Sequence, residues 1–366
     1  MPARAKAPSV RGDGDGRRPA TIQDVAQLAQ VDPSTASRVL RDDPQQKVRE
    51  ETRERILDAA RVLDYRPNAA AQSLRTRRTD TFALIIPTLD NPGFVNVVRG
   101  IQMEAAVQEK LVVVLEADAI GADERGTGQR EELFARLVLD GRVDGMIIAF
   151  ATPEDRLVAR LAERQVPVVL VNRRIEAIHS WVAVDDVRGA EMAVEHLAGL
   201  GHKRIGFVGF GQLADTAQRR EQGYRSGMEA AGLRVDPRWV ASAAPSREGG
   251  REAISAILDA SPPEERPTAV FSASLLGAIG ALSGLHERGI EVPGEISIVA
   301  FNDHEISNDT SPPLTTVRLP NVQMGQEAMR MAVAAANGRE VGEIMIEGPI
   351  EVITRASTAP PREVAE

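Results

Sequence analysis

The chain has no cysteine, an absence that excludes disulfides, thiolate metal centres and cysteine nucleophiles together. Histidine is sparse: His179, His196, His202, His286 and His304 show no HExxH or HxH spacing, so no metal site is expected. Aromatic residues make up only 3%. Ala, Val, Leu and Ile supply the apolar mass instead, which suits helices and parallel strands better than a β-sandwich. No segment offers 18 uninterrupted apolar residues, and the opening MPARAKAPSVRGDGDGRRPA has no apolar core of signal-peptide length. The expectation is a chain that stays in the cytoplasm. No Ser-His-Asp grouping emerges. GADERGTG (121–128) lacks the lysine and hydroxyl residue of a phosphate loop, and GFVGFG (206–211) is not GxGxxG. Both read as turns at strand ends. Catalysis has no visible basis, and no cofactor is expected.

What is present is a long, apolar, unevenly charged chain. At 366 residues and 43% hydrophobic it suits two or three globular domains. Residues 1–79 carry 16 Lys/Arg against 11 Asp/Glu, while the remainder carries 28 against 42. A basic front on an acidic body suggests that only the front meets a polyanion.

Residues 1–19 lack periodicity and read as a disordered arm. Three helices follow. Thr21 caps the first, with Asp24 three residues on and Val25, Leu28 and Ala29 as its apolar stripe. Gln30-Val31 makes the turn, and Asp32-Pro33 starts a second helix that turns Ala36, Val39 and Leu40 inward. The third, about 50–64, sets Ile56, Leu57, Ala60 and Leu63 at helical spacing. From about Thr81 short Val/Ile-rich runs alternate with helix patterns: FALIIPTLD, VVVLEAD, VDGMIIAF, VPVVLVN, WVAVDD, RIGFVGF, TAVFSAS and ISIVAFND. That alternation implies parallel sheet with helices on both faces, and eight or more strands imply two doubly wound lobes.

Two helices joined by a tight turn leave the polar face of the second free for a major groove. Ser34 and Arg38 lie one turn apart, with Pro33 at the leading tip. An arginine there suits guanine O6/N7, worth about 1–3 kcal/mol of discrimination. Thr21, Thr35, Ser37 and Arg41 suit phosphates. Asn68-Ala-Ala-Ala-Gln-Ser-Leu-Arg75 is too short to persist alone as a helix. Paired with a second copy in a minor groove, Ala71 permits close approach and Leu74 can wedge between base pairs. The alternatives at this point are a structural helix bundle and an interdomain linker.

TIQDVAQLAQVDPSTASRVL (21–40) and ETRERILDAARVLDYRPNAAAQSLRT (51–76) resemble the headpiece and hinge of the LacI/GalR family of bacterial transcriptional regulators. The likeness continues through DNPGF, VDGMII, VPVVLVNRR, EHLAGLGHKRIGFVG, RREQGY, ISIVAFND, PPLTTVRLP and ITRASTAPP. It implies a homodimeric repressor that reads a near-palindromic double-stranded operator. It also implies a core like periplasmic sugar-binding proteins, with a small effector, sugar-like, between its lobes. By the same resemblance Pro33, Ser34 and Arg38 meet the major groove, and Asn68, Ala71 and Leu74 belong to the hinge on the minor groove. Asn91, Phe94, Ala149, Asn172, Thr216, Arg220, Ser274 and Asn302 are placed on the effector. The expected partition is a helix-turn-helix headpiece at 20–66, a hinge at 67–79, a two-lobed α/β core at 80–356 and a tail at 357–366. Within the core, lobe 1 is about 80–178 and 319–340, and lobe 2 about 179–318 and 341–356.

The sequence departs from the family in places. Gln30 stands where a turn glycine is usual, Asp32 where Ser is, and Arg41 where Asn is. Ser274-Leu275 replaces an Asn-Asp pair, and Asn302 replaces a common carboxylate. These changes leave two expectations, an ordinary sugar held by different contacts or a more anionic, less hydroxylated ligand. A solute-binding protein of a transporter is the rival reading, and it leaves residues 21–78 unexplained.

Overall fold

Thr21 starts the first helix with a reciprocal cap. Its side chain accepts from the Asp24 N–H, and Asp24 Oδ2 accepts from the Thr21 N–H at 2.8 Å. Helix α1 (Ile22–Ala29) therefore begins with two of its orphan donors satisfied. It ends at Gln30, in the left-handed region with φ 52°. Asp32 then caps α2 (Pro33–Val39), accepting from the Ser34 N–H at 2.8 Å, with Pro33 at the first helical position. Helix α3 (Glu50–Val62) completes the unit. Its core is Val25, Ala26, Ala29, Ala36, Val39, Ile56 and Ala59. The sequence assigned Leu28 and Leu57 to this core, but both are exposed, and Ala26 and Ala59 take their places. Short helices this close pack through small side chains, so alanines hold the seam and the leucines turn outward.

The computed structural model describes residues 20–41, 48–66, 78–117, 126–151, 156–164, 166–176, 178–211 and 214–362. Contacts divide the chain at Arg77/Arg78 into the small helical unit and a large α/β unit. The hinge residues Asn68, Ala71 and Leu74 lie outside the described residues.

The α/β unit holds two six-stranded sheets. The first contains β1 (Thr81–Ile86), β2 (Leu111–Glu116), β3 (Gly145–Ile148), β4 (Val168–Val171), β5 (Trp181–Ala183) and β11 (Glu343–Met345), in the order β11-β5-β4-β3-β1-β2. The second contains β6 (Ile205–Phe210), β7 (Val240–Ala243), β8 (Ala269–Ser272), β9 (Ser297–Phe301), β10 (Thr315–Arg318) and β12 (Glu351–Ile353), in the order β12-β10-β9-β8-β6-β7. All pairings are parallel except β10–β12, an antiparallel edge. GFVGFG proves to be most of β6 rather than a turn, because five of the six β6 residues are buried in register between β7 and β8. Residues 126–128 open a helix.

Each sheet is covered on both faces. Along β1, Phe82, Leu84 and Ile86 enter one core, while Ala83 and Ile85 enter another, as two-residue strand alternation requires. Helices α4 (Val95–Val107) and α11 (Asn321–Ala336) cover the first face, and α5 (Gly126–Leu139) and α6 (Arg156–Glu163) the second. In the second lobe α7 (Asp186–Gly199) and α8 (Asp215–Ala230) lie on one face, and α9 (Arg247–Asp259) and α10 (Leu275–Glu287) on the other. Glycine permits one of these contacts. A Cβ on Gly100 of α4 would strike the Val322 carbonyl, and one on Gly325 of α11 would strike the Val97 carbonyl.

The lobe boundaries differ from those read in the sequence. β5 lies within 179–318 and β11 within 341–356, yet both pair in the first sheet, Leu170 with Trp181 and Glu343 with Trp181. The chain therefore crosses after Ala183, and residues 341–356 are shared between lobes. Extending the first sheet pairs the backbone of these short apolar strands, which a lobe change at 179 would leave open.

Candidate DNA-reading helix and ligand cleft

In the helical unit, Pro33, Ser34, Arg38 and Arg41 are exposed, and Thr21, Thr35 and Ser37 are half-buried. Ser34 and Arg38 share a face of α2 by their spacing of four. Arg41 Nε donates to the Ser37 carbonyl at 2.8 Å, which steadies its stem at the C-terminal end of the helix. Thr21 Oγ1 donates to Asp24 Oδ2 at 2.7 Å, so its hydroxyl is engaged in the cap. The Asp32 carboxyl is held below the ordinary carboxylate range, chiefly by the Ser34 hydroxyl and then by the Ser34 backbone N–H. This leaves a small, capped helix with a serine, an arginine and a proline on its open face. Such a surface can place polar edges against base pairs and a guanidinium against guanine.

In the α/β unit, a cavity of about 380 Å³ opens where the strands end. Parallel sheets put such crevices at the carboxyl ends of their strands, where loops turn into helices. Asn91, Phe94, Ala149, Asn172, Thr216, Arg220, Ser274 and Asn302, all chosen from sequence, line this one cavity. They follow six separate strands, in the connections and the helix starts beyond them. Asn91 Oδ1 accepts from the Gly93 N–H at 2.9 Å, in the short turn Pro92–Phe94. Phe94 is half-buried and also packs on the core. Ala149 follows β3, and Ser274 caps α10, accepting from Gly277 at 3.0 Å. Asn172 and Asn302 follow β4 and β9 with φ of 51° and 74°, a left-handed bend that asparagine tolerates better than most residues. The Asn172 carbonyl oxygen Oδ1 accepts from Arg219 Nη2 at 3.1 Å, and Asn302 Oδ1 from Asn321 Nδ2 at 3.1 Å.

Arg220 does not offer its whole fork of donors to the cavity. Nε donates to Asp186 Oδ1 at 2.8 Å and Nη1 to the Ala273 carbonyl at 2.8 Å. Its guanidinium lies over Phe301, 4.2 Å from the ring centroid, with Phe210 at 5.5 Å. Among the described residues its Nη2 has no hydrogen-bond partner. Burial pulls its pKa below the ordinary arginine range, against the attraction of Asp186.

Arg173, Phe150, Phe210 and Asn321 also line the cavity and were not among the residues chosen from sequence. Arg173 Nη1 donates to the Asn172 carbonyl at 2.8 Å and to Thr216 Oγ1 at 3.0 Å. Burial lowers its pKa to about 10, opposed by the charge of Asp215 and reinforced by that of Arg220. Its signal was adjacency to Asn172 in VPVVLVNRR. Asp186, fully buried behind the wall, binds Arg220 and, through Oδ2, Arg219 Nη2 at 2.6 Å. No group of His, Asp or Glu able to hold a metal occurs among the described residues.

Comparison with known proteins agrees with both halves. Residues 21–68 match the family model of bacterial regulatory proteins, lacI family, and residues 194–358 match a periplasmic binding protein-like domain. The transcriptional repressor CytR of Escherichia coli K12 is 32% identical over 343 residues, 93% of this chain and 96% of that protein. The crystal structure of the Lac repressor dimer bound to operator and an anti-inducer superposes with TM-score 0.79, at 25% identity, over 93% of this chain and all of that one. A complex of the regulator CelR with cellobiose gives TM-score 0.69 at 28% identity, over 92% and 99% of the two chains. These relatives are regulators, not enzymes, and they share both the DNA-binding and the effector-binding parts. The chain belongs to the LacI family of bacterial transcriptional regulators.

Proposed function

We propose that this chain is a repressor that binds a near-palindromic operator as a homodimer in the cytoplasm, and that a small sugar-like effector in the cleft between its lobes tunes that grip. The observation that carries this is the co-occurrence, in one chain, of an exposed reading face on α2 and a cavity ringed by eight residues drawn from separate strand ends. Pro33, Ser34 and Arg38 are assigned to base edges, and Thr21, Thr35, Ser37 and Arg41 to phosphates. Asn68, Ala71 and Leu74 are assigned to a hinge that pairs with its copy in the minor groove. Kinship with an operator-bound dimer and with a cellobiose complex supports the two partners.

Ligand and operator are linked through a two-state equilibrium. A ligand that prefers one arrangement of the lobes shifts the hinge-paired population, and couplings of this kind are typically about 1–3 kcal/mol. Selection of bound duplexes from a random pool by the full-length chain tests the reading. A symmetric consensus should emerge, with affinity falling steeply as salt rises. A pool that stays random after repeated rounds would refute it.

A further inference from the structure

The ligand cleft carries an imbalance of charge. Among the described residues, Arg173 and Arg220 line it and no aspartate or glutamate does. Both arginines are more than nine-tenths buried. The carboxylates behind the wall are paired with other arginines, although Asp215 Oδ1 is itself buried without a hydrogen-bond partner. Asp186 holds Arg220 and Arg219, and Asp215 meets Arg219 at 2.9 Å and Arg174 at 3.2 Å. Two carboxylates thus answer for four guanidiniums. Arg173 has no ion pair among the described residues, and its buried Nε has no hydrogen-bond partner. The rest of the wall that can recognise a ligand is neutral, with Asn91, Asn302 and Asn321 beside the rings of Phe94 and Phe210.

We infer that the cleft takes a small anion, whose carboxylate or phosphate oxygens sit on Arg173 and Arg220 and whose neutral body meets the asparagines and phenylalanine rings. This rests on the cleft being the effector site. Buried positive charge without a counterion is costly, and an oxyanion offsets it while accepting charge-assisted hydrogen bonds. The Phe301 ring covers the face of the Arg220 guanidinium and so directs ligands to its in-plane edge, the geometry that carboxylates and phosphates match. A neutral polyol would use the same donors and leave the imbalance in place.

Asn302 supplies a test that needs no natural ligand. Asn302→Asp is nearly isosteric, its oxygen can still accept from Asn321, and aspartate tolerates the left-handed bend. If the cleft lacks negative charge, the unliganded full-length variant should melt about 2–4 °C higher than wild type. Glucose, glucuronate and glucose 6-phosphate are then titrated calorimetrically into both proteins. Glucuronate or glucose 6-phosphate should bind wild type at least about tenfold tighter than glucose, with that preference lost in Asn302→Asp. The two anions separate a carboxylate from a phosphate site. A lower melting temperature for the unliganded variant overturns the inference, as does glucose binding as tightly as either anion. Where none of the three binds, the sign of the melting shift decides. Operator binding is followed in the same samples. Anion preference without operator recognition sinks the regulator reading alone, whereas glucose preference with ligand-dependent operator release sinks the anion alone.

Discussion

Gln30 spends its φ of 52° closing the turn between α1 and α2, donating its N–H to Ala26 and Gln27 carbonyls. A side chain in that region costs about 1–2 kcal/mol that glycine avoids, partly offset by glycine's freer unfolded chain. Gln30→Gly should therefore stabilise the helical unit by about 0.5–1 kcal/mol, measured by thermal unfolding of the full chain; a loss of stability would show that the Gln30 side chain makes a needed contact. At the cleft, the decisive residue is one no motif announces. Asp186 is fully buried and is the hydrogen-bonded counterion shared by Arg219 and Arg220. Asp186→Asn keeps the shape and removes the charge, which should destabilise the α/β unit by about 3–5 kcal/mol. Denaturant unfolding checks this, and a change under 1 kcal/mol would mean that water or rearranged neighbours replace the carboxylate. Arg220 was legible only through the family resemblance that RREQGY carries. Its partner was not, since nothing in WVAVDD says which of two adjacent aspartates turns inward.

The elements were legible where their patterns were long. Thr21 with Asp24 and Asp32 with Pro33 are local signals, decided by hydrogen bonds within four residues, and both caps form as read. Leu28 and Leu57 were misplaced because helical periodicity gives the angular position of a side chain but not how closely the next helix approaches. Close approach also governs the pair α4 and α11, where Gly100 and Gly325 let each backbone rest on the other. A methyl group at Gly100 would meet backbone rather than a yielding side chain. Gly100→Ala should cost about 2–3 kcal/mol or more, visible as a lowered Tm, and an unchanged Tm would mean that the helices slide apart freely. On α2, Ser34 and Arg38 are the exposed pair we propose for discrimination. Arg38→Met should weaken the selected operator by about 1–3 kcal/mol in a binding titration while leaving non-specific DNA affinity nearly unchanged. Equal losses on both DNAs would reassign Arg38 to phosphate.

For the whole molecule, strand–helix alternation announced two lobes but not where the chain passes between them. It crosses after β5, after β10 and after β11, and β5, β11 and β12 are only three residues each, too short to show a period. The last crossing ends in a segment stitched to the second lobe. Ser357 Oγ donates to the Ile298 carbonyl at 2.6 Å and accepts from the Thr315 N–H at 2.8 Å. His202 joins Thr268 Oγ1 through Nδ1 and the Ala359 carbonyl through Nε2, each at 2.9 Å, and His196 Nε2 meets Thr358 Oγ1 at 3.1 Å. The neutral imidazole of His202 suits this bridge, donating from Nε2 and accepting at Nδ1. Burial holds both histidines below the ordinary value of 6.5, and the charge of His196 lowers His202 further. Groups depressed in this way bind fewer protons folded than unfolded, so stability is complete above about pH 6.5 and declines as the pH falls through and below it. The melting temperature should therefore be level from pH 8 to 7 and decline on acidification toward 5. His202→Gln, which retains one donor and one acceptor but cannot titrate, should flatten that decline. Overlapping profiles for the two proteins would remove His202 as its source and leave the acid sensitivity to His196 or the carboxylates.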